Sequence, residues 1–352
     1  MVAQWTLILR SHTGSVLTEL IDSRDIGISR ELNRPMDIGG TLDQSSPQAV
    51  KYQDALGNGI PQLLGYREES GTKTLRFAGL WTPDTEDADP NGAAINWTFR
   101  DPLATLDQRV TAELYDPVGL GFTDAGEILE ALIDNANTDS NTFLATGDIE
   151  ATVDRDVTYE WKSIGEAGRE LQELDLGFDV TVTPSTSAST LGTLAVVADA
   201  GGFVEAARFA HGGGTQDNCQ QVSRERRAPR NHVIVIGDQG VSVEVSDTAS
   251  IAVYGKWTHV ENLTDQVDAD VLLGRGQSLL RPNPIEIVTF TAEPALAPQP
   301  WEDYDIGDTV PIYVNRDAFQ ADTTARVIGI SIDLDDDLRE TSHVIQVEKD
   351  NS

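Results

Sequence analysis

Three short runs between Gly212 and Val314 decide how this chain is read: His232-Val233-Ile234-Val235-Ile236-Gly237, Ser250-Ile251-Ala252-Val253-Tyr254-Gly255 and Tyr304-Asp305-Ile306-Gly307-Asp308-Thr309-Val310. The first two are apolar, rich in β-branched residues and closed by glycine, which predicts a pair of strands. Between the second and third, Thr264–Gly274 sets Val267, Val271, Leu272 and Leu273 at helical offsets and predicts one charged helix. The Gly307-Asp308 turn then returns the chain to a strand at Thr309–Val314. A strand pair broken once by a helix and resumed after a tight turn is an architectural pattern. Nothing in it sets a nucleophile beside a base, and the stretch reads as part of a building block.

Toward the N-terminus the same strand chemistry dominates. Trp5, Leu7 and Leu9 recur at every second position, as do Val16, Thr18 and Leu20; Gln62–Arg67, Thr74–Trp81 and Ala94–Arg100 follow. Turn residues separate them at Thr13-Gly14, Asn58-Gly59, Ser70-Gly71 and Pro90-Asn91-Gly92. Strands of this kind need their edges paired, so residues 1–104 are expected to close into an antiparallel β-barrel.

Residues 105–205 change character. Asp124 with Glu127 has capping-box spacing ahead of Ile128, Leu129, Leu132 and Ile133, and Ser163 with Glu166 repeats it ahead of Ala167, Leu171 and Leu174, with Gly177 as the stop. Strands at Ile149–Val153, Phe178–Thr183 and Leu194–Val197 make this a mixed α+β insert. Strands at Ile285–Thr291, Thr309–Val314, Ala325–Asp333 and Ser342–Val347 then make 206–352 a second β-barrel, with the helix near 264–274 inserted in it. The expected fold is mainly β: two antiparallel barrels and an α+β insert between them.

The chain has 352 residues, 58 acidic against 25 basic, and a net charge of −33. Such a surface repels phosphate backbones and anionic membranes. It is either a solvated acidic shell or a wall that lets nucleic acid pass without sticking. The lone Cys219 excludes an internal disulfide and a cysteine metal cluster. The N-terminal residues alternate like a strand and lack the pattern of a signal peptide, and no run of about 18 apolar residues predicts a membrane span. Assembly in a cytoplasm is expected.

Candidate chemistry is sparse. His12, His211, His232, His259 and His343 are scattered, outside any elbow or zinc-binding motif, and are read as structural or surface residues. Trp81, Trp97, Trp161, Trp257 and Trp301 are read as core or domain-junction residues. Asp87, Asp89 and Asn91 match the start of a calcium loop, but Thr98 stands where the closing glutamate belongs and Pro90 intrudes, so an acidic hairpin is the favoured reading. Gly212-Gly213-Gly214 lacks the context of a phosphate loop and is a turn. Arg224, Arg226, Arg227 and Arg230 form a basic cluster in the acidic field, and guanidinium groups favour carboxylate partners. They are the candidate interface, either for an acidic neighbour, including another copy of the chain, or simply as a solvated strand edge.

Taken together, Gly213-Gly214-Thr215 with Asn218, Asn231–Gly237, Ser250–Gly255, Leu272-Leu273 and Gly307–Val310 resemble the hub proteins of tailed-phage tail tips and baseplates, more narrowly siphophage minor tail proteins of the hub type. Leu17–Leu20, Glu31–Pro35 and Leu174–Val180 fit the same group. The resemblance implies two tail-tube-like β-barrels and a homotrimer whose six barrels form a pseudo-sixfold ring. That ring would convert tube symmetry to tip symmetry. It further implies a place at the virion tail tip, no enzymatic activity, no cofactor, and three partners: the distal tail protein, the tape-measure protein, and fibre or other tip proteins. DNA would pass through without specific binding, past an acidic wall that denies it counterion release. The chain ends at Ser352, shortly after the second barrel is expected to close, so no peptidase, lysozyme-like or fibrous extension is expected in it. Two other classes stay open: a carbohydrate-binding or carbohydrate-cleaving tip protein, and an acidic protein of a halophile unrelated to viruses.

Overall fold

The computed structural model describes residues 2–349 except 70, 90–91, 112–114, 118, 123, 151–156, 158, 173–177, 199, 215–216, 264–266, 268 and 317–318. In the N-terminal part, strands β1 (Gln4–Arg10), β2 (Val16–Glu19), β3 (Ser23–Glu31) and β4 (Asp37–Asp43) lead to helix α1 (Pro47–Gly57), then β5 (Gln62–Glu69), β6 (Thr72–Asp89) and β7 (Gly92–Arg100). Trp5, Leu7 and Leu9 are buried as their alternation predicts, against Ile95, Trp97 and Phe99 of β7. Gly40 is what admits Trp97, since a Cβ there would lie 2.9 Å from the indole. Helix α1 is not among the elements expected from the sequence. It starts because Ser46 Oγ accepts the Ala49 N–H at 3.1 Å and Pro47 occupies the first turn, and it buries Tyr52.

The middle of the chain opens with a 3₁₀ turn at Pro102–Gln108, followed by α2 (Ala125–Asp139), β8 (Leu144–Ile149), α3 (Ile164–Gln172), β9 (Asp179–Pro184) and β10 (Gly192–Val197). Asp124 caps α2 by accepting the Gly126 and Glu127 N–H groups, and Ile128, Leu129, Leu132 and Ile133 all face its core. The strands form their own sheet in the order β8-β10-β9, with β8 parallel to β10. The strand expected at Ile149–Val153 ends earlier, at Ile149, and 151–153 lie outside the described residues, as do Leu174 and Gly177.

The C-terminal part departs most from expectation, and it does so in the decisive stretch. Strands β11 (Phe209–His211) and β12 (Cys219–Arg227) belong to the large sheet, but β13 (His232–Ile236), β14 (Ser242–Ser246), helix α4 (Thr248–Tyr254), β15 (Thr258–Asn262) and helix α5 (Ala269–Leu279) form a separate three-stranded sheet, β14-β13-β15, backed by α5. Ser250–Gly255 is therefore helical rather than a strand. Asp247 caps it by accepting the Ser250 N–H at 2.7 Å, and Gly255, at φ 78°, ends it with its N–H on Ile251 O. α5 runs from Ala269 to Leu279 instead of Thr264 to Gly274. Its buried face is Leu272, Arg275, Gly276 and Leu279, while Val267 and Leu273 are exposed. Gly276 does not break the helix. It lets the helix approach the sheet, because a Cβ there would meet Val245 at 2.7 Å.

After this excursion β16 (Ile285–Ala292), β17 (Thr309–Arg316), β18 (Phe319–Leu334) and β19 (Glu340–Lys349) complete the large sheet. The Gly307-Asp308 turn that launches β17 presses on Ala200: a Cβ on Gly307 would lie 2.2 Å from Ala200 O, and Asp308 accepts the Gly202 N–H at 2.8 Å.

β18 pairs with β3 from Gly329 opposite Glu31 to Leu334 opposite Ile26. That ladder joins the two strand sets into one 13-stranded sheet, in the order β12-β16-β19-β18-β3-β4-β7-β6-β5-β1-β2 with β17 and β11 branching from β18. One apolar core runs through both sets, from Trp5 and Trp97 to Phe209, Phe290 and Ile345. The fold is mainly antiparallel β with an α+β region, the class expected.

Candidate interaction surface

Three of the four predicted interface arginines stand on β12, which pairs only with β16 among the described residues and lies at the end of the sheet. The two-residue period puts Arg224 and Arg226 on one face and Arg227 on the other. Glu286 of β16, opposite Arg226, takes Arg226 at 3.0 Å, Arg224 at 3.9 Å and Lys349 of β19 at 3.8 Å. Arg224 also lies 4.4 Å from the centre of the Phe319 ring. Arg227 pairs with Glu225 at 2.8 Å, and its hydrogen bond holds the Glu225 carboxyl below the usual range. Arg226 and Arg227 remain 64% and 57% exposed, enough to reach a second partner. Arg230 is set apart, in a backbone bridge with Arg281 at the entry to the small sheet.

The structure adds one residue that the linear reading missed. A groove of about 540 Å³ beside β12 is lined by Arg224, Phe319, Arg316 and His211 among others. His211 is buried, its Nδ1 on Cys219 O at 2.9 Å and its Nε2 accepting Arg316 Nε at 2.8 Å. The imidazole thus fixes the direction of an exposed guanidinium. Arg316 lies far from β12 in sequence, and only the β11-β17 pairing brings the two together. Cys219 beneath is pushed up to about 12 by burial and carries no thiolate chemistry.

The histidines occupy structural positions. His12 is at the surface, His232 is buried between Thr258 Oγ1 and Glu244, and His259 lies 3.4 Å from Glu261. His343 joins a buried knot at the seam of the two strand sets. There Arg67, wholly buried, holds Glu340 through Nε and Nη2 at 2.6 and 2.8 Å, Trp5 Nε1 donates to Glu340 at 2.9 Å, and His343 Nε2 contacts it at 2.8 Å. Burial alone would raise the Glu340 pKa, but the Arg67 and His343 hydrogen bonds outweigh it and hold the carboxyl down at about 2.

Of the tryptophans, Trp97 is core, while Trp81 and Trp301 pack against it. Trp161 and Trp257 are 61% and 50% exposed and so are not core residues. A cleft of about 650 Å³ between β3, β6, β9 and the 301–306 segment contains Trp301, Arg76, Asp101 and Asp305. Its indole is occupied by cations, with Arg67 and Arg76 at 5.5 and 5.9 Å from the ring centre. Asp87 and Asp89 fall on β6, and Asn91 lies outside the described residues. Among the described residues no group of three or more His, Cys, Asp or Glu is placed to hold a metal ion, and no helix is long and apolar enough to cross a membrane.

No family model matches the sequence, and no curated protein does. Solved structures do. The tail protein from Neisseria meningitidis aligns over 99% of this chain and 97% of its own, with TM-score 0.60 and 10% identity. The 43 kDa tail protein of prophage MuSo2 from Shewanella oneidensis covers 97% of both chains at TM-score 0.59 and 15% identity. The fold is that of phage tail proteins. A third match, the prophage tail protein gp18 from Listeria monocytogenes, spans 99% of this chain and 95% of that one at TM-score 0.54 and 10% identity. In all three the alignment spans nearly the whole of both chains.

Proposed function

We propose that the chain is a structural hub of a phage-type tail tip, assembling as a homotrimer around a channel. The observation that supports this most is the end-to-end fold correspondence with tail proteins from three bacteria. The two strand sets, fused through β3 and β18, would supply each copy with two barrel-like modules. Three copies then present six modules in a ring, which can face a sixfold tube on one side and a threefold tip on the other. The neighbours in this reading are the distal tail protein above, the tape-measure protein within the channel, and fibre or other tip proteins below.

The net charge of −33 fits a conduit. Carboxylates around a bore repel phosphates within a Debye length of about 8 Å and give DNA no counterion release to gain by adhering. Native mass measurement with low-resolution imaging tests the reading: threefold rings with an open centre are expected, and a monomer at all concentrations overturns it. A bore lined by neutral or basic residues would leave the adaptor role and remove the conduit.

A further inference from the structure

The C-terminal strand set does not close on itself. β11 pairs with β17 from Phe209 opposite Ile312 to His211 opposite Val314, and it touches the start of β12, where the Asn218 N–H donates to Ala210 O. Beyond His211 the described residues supply no strand between them: β12 pairs only with β16, and β17 pairs otherwise with β18. The groove beside β12 opens where β11 stops, with His211 in its lining together with Gln220, Val222, Arg224, Arg316 and Phe319. Although the net charge of the chain is −33, no carboxylate is among the described residues that line this groove. A long exposed edge is ordinarily blunted or covered, and an edge lined with one sign of charge selects a partner of the other.

Arg316 is held in place. Its Nε–H donates to His211 Nε2 at 2.8 Å, and Nδ1 of the same ring lies 2.9 Å from Cys219 O. A guanidinium can only donate and a carbonyl can only accept, so the imidazole is neutral with its proton on Nδ1. His211 is only 6% exposed, while Arg316 is exposed. The buried ring thus takes up the Nε–H and turns the Nη groups toward a second acceptor, the arrangement that suits a carboxylate.

We propose that an extended acidic segment of a separate protein chain docks in this groove, in line with β11 and along the open edge of β12, with its carboxylates on Arg316 and Arg224. Main-chain hydrogen bonds to the edge supply affinity, the arginines select the charge, and His211 is the positioning residue for Arg316. A second copy of this chain suits the groove less well. β2, β8, β9, β14 and β15, edge strands whose side chains are described, carry one acidic residue each: Glu19, Asp148, Asp179, Glu244 and Glu261. The last three already pair with Arg326, Lys256 and Arg275. The inference does not depend on how many copies the assembly contains.

Fluorescence anisotropy on the full-length protein tests it, with a labelled ten-residue peptide of alternating Thr and Glu as the probe. A peptide of alternating Thr and Gln and a Thr–Glu peptide interrupted by two prolines serve as controls. The Thr–Glu peptide should bind roughly tenfold or more tightly than either control, and Arg316→Gln should remove most of that advantage. His211→Leu should weaken binding nearly as much with Arg316 still present, whereas His211→Gln, whose Oε1 can accept the Arg316 Nε–H, should restore most of it. Circular dichroism and melting curves confirm that each variant folds, and Arg316→Gln, at an exposed position, carries the test even if His211→Leu does not. Failure of the Thr–Glu peptide to bind, equal binding of the Gln peptide, or binding indifferent to Arg316 overturns the site. Equal binding of the proline-interrupted peptide overturns the strand addition. If Arg316→Gln instead dissolves self-association of the protein in sedimentation equilibrium, the occupant is a second copy and the separate partner falls. A wild-type monomer that binds the Thr–Glu peptide overturns the trimeric hub and leaves this site standing.

Discussion

Two carboxylates hold the two joints of this molecule, and their chemistry runs in opposite directions. Glu340, at the seam between the strand sets, is buried against Arg67 and His343 and titrates near 2. Asp101, at the joint between the N-terminal strands and the α+β region, accepts the Met36 and Leu103 N–H groups at 2.9 and 3.0 Å. Burial there outweighs the two backbone donors, and Asp37 adds a like charge, so Asp101 is pushed up to about 7. Backbone donors place the Asp101 carboxylate, while side chains place that of Glu340. What separates them, among the described residues, is a guanidinium hydrogen-bonded to Glu340 and none hydrogen-bonded to Asp101, which Arg30 reaches only through its charge.

The comparison is broken most directly by removing the cation. Arg67→Ala leaves Glu340 buried without its main partner and should cost about 3–5 kcal/mol in urea denaturation, whereas Arg67→Met with Glu340→Leu should cost much less than Arg67→Ala alone. Next in size is the acid response of the native seam. Glu340 binds its proton less tightly in the fold than in the unfolded chain. The stability it adds is therefore full above the ordinary value of 4.5 and is lost as pH falls toward about 2. That loss should be about 2–3 kcal/mol and should be absent in the Glu340→Gln variant.

Asp101 sharpens the contrast through the opposite sign. It binds its proton more tightly in the fold, so it favours folding at low pH and costs stability as pH rises from 3.8 through about 7. Asp101→Asn should flatten that slope, visible as a loss of pH dependence of the melting temperature across the window. The smallest effect belongs to the exposed edge. Arg227→Ala removes only a surface pair with Glu225 and should leave the denaturation midpoint unmoved, while any loss of assembly it causes would appear in sedimentation alone.

Much of this architecture was legible in single residues. The period-two burial of Trp5, Leu7 and Leu9 and the Asp124 cap of α2 follow from local rules, and the structure keeps both. Ser250–Gly255 shows where such rules mislead. Its β-branched run suggests a strand, but the Asp247 cap and the Gly255 stop that bracket it, both present in the sequence, specify a helix. The interface candidates divide the same way. Arg224, Arg226 and Arg227 could be found because they are neighbours on one strand. Arg316 could not, because its place beside them depends on a parallel β11-β17 pairing that no local pattern encodes. The seam knot was hidden for the same reason, since Arg67 and Glu340 lie near opposite ends of the chain.

The ladder between β3 and β18 has a consequence for how the chain is made. Ile330 pairs with Arg30, and Trp5 donates its N–H to Leu338 O, so β1 and β3, which pair early with β2, β5 and β4, gain their C-terminal partners only when nearly the whole polypeptide has left the ribosome. The nascent chain must carry an unfinished β-surface through most of its synthesis, and closure is a late, slow event set by topology.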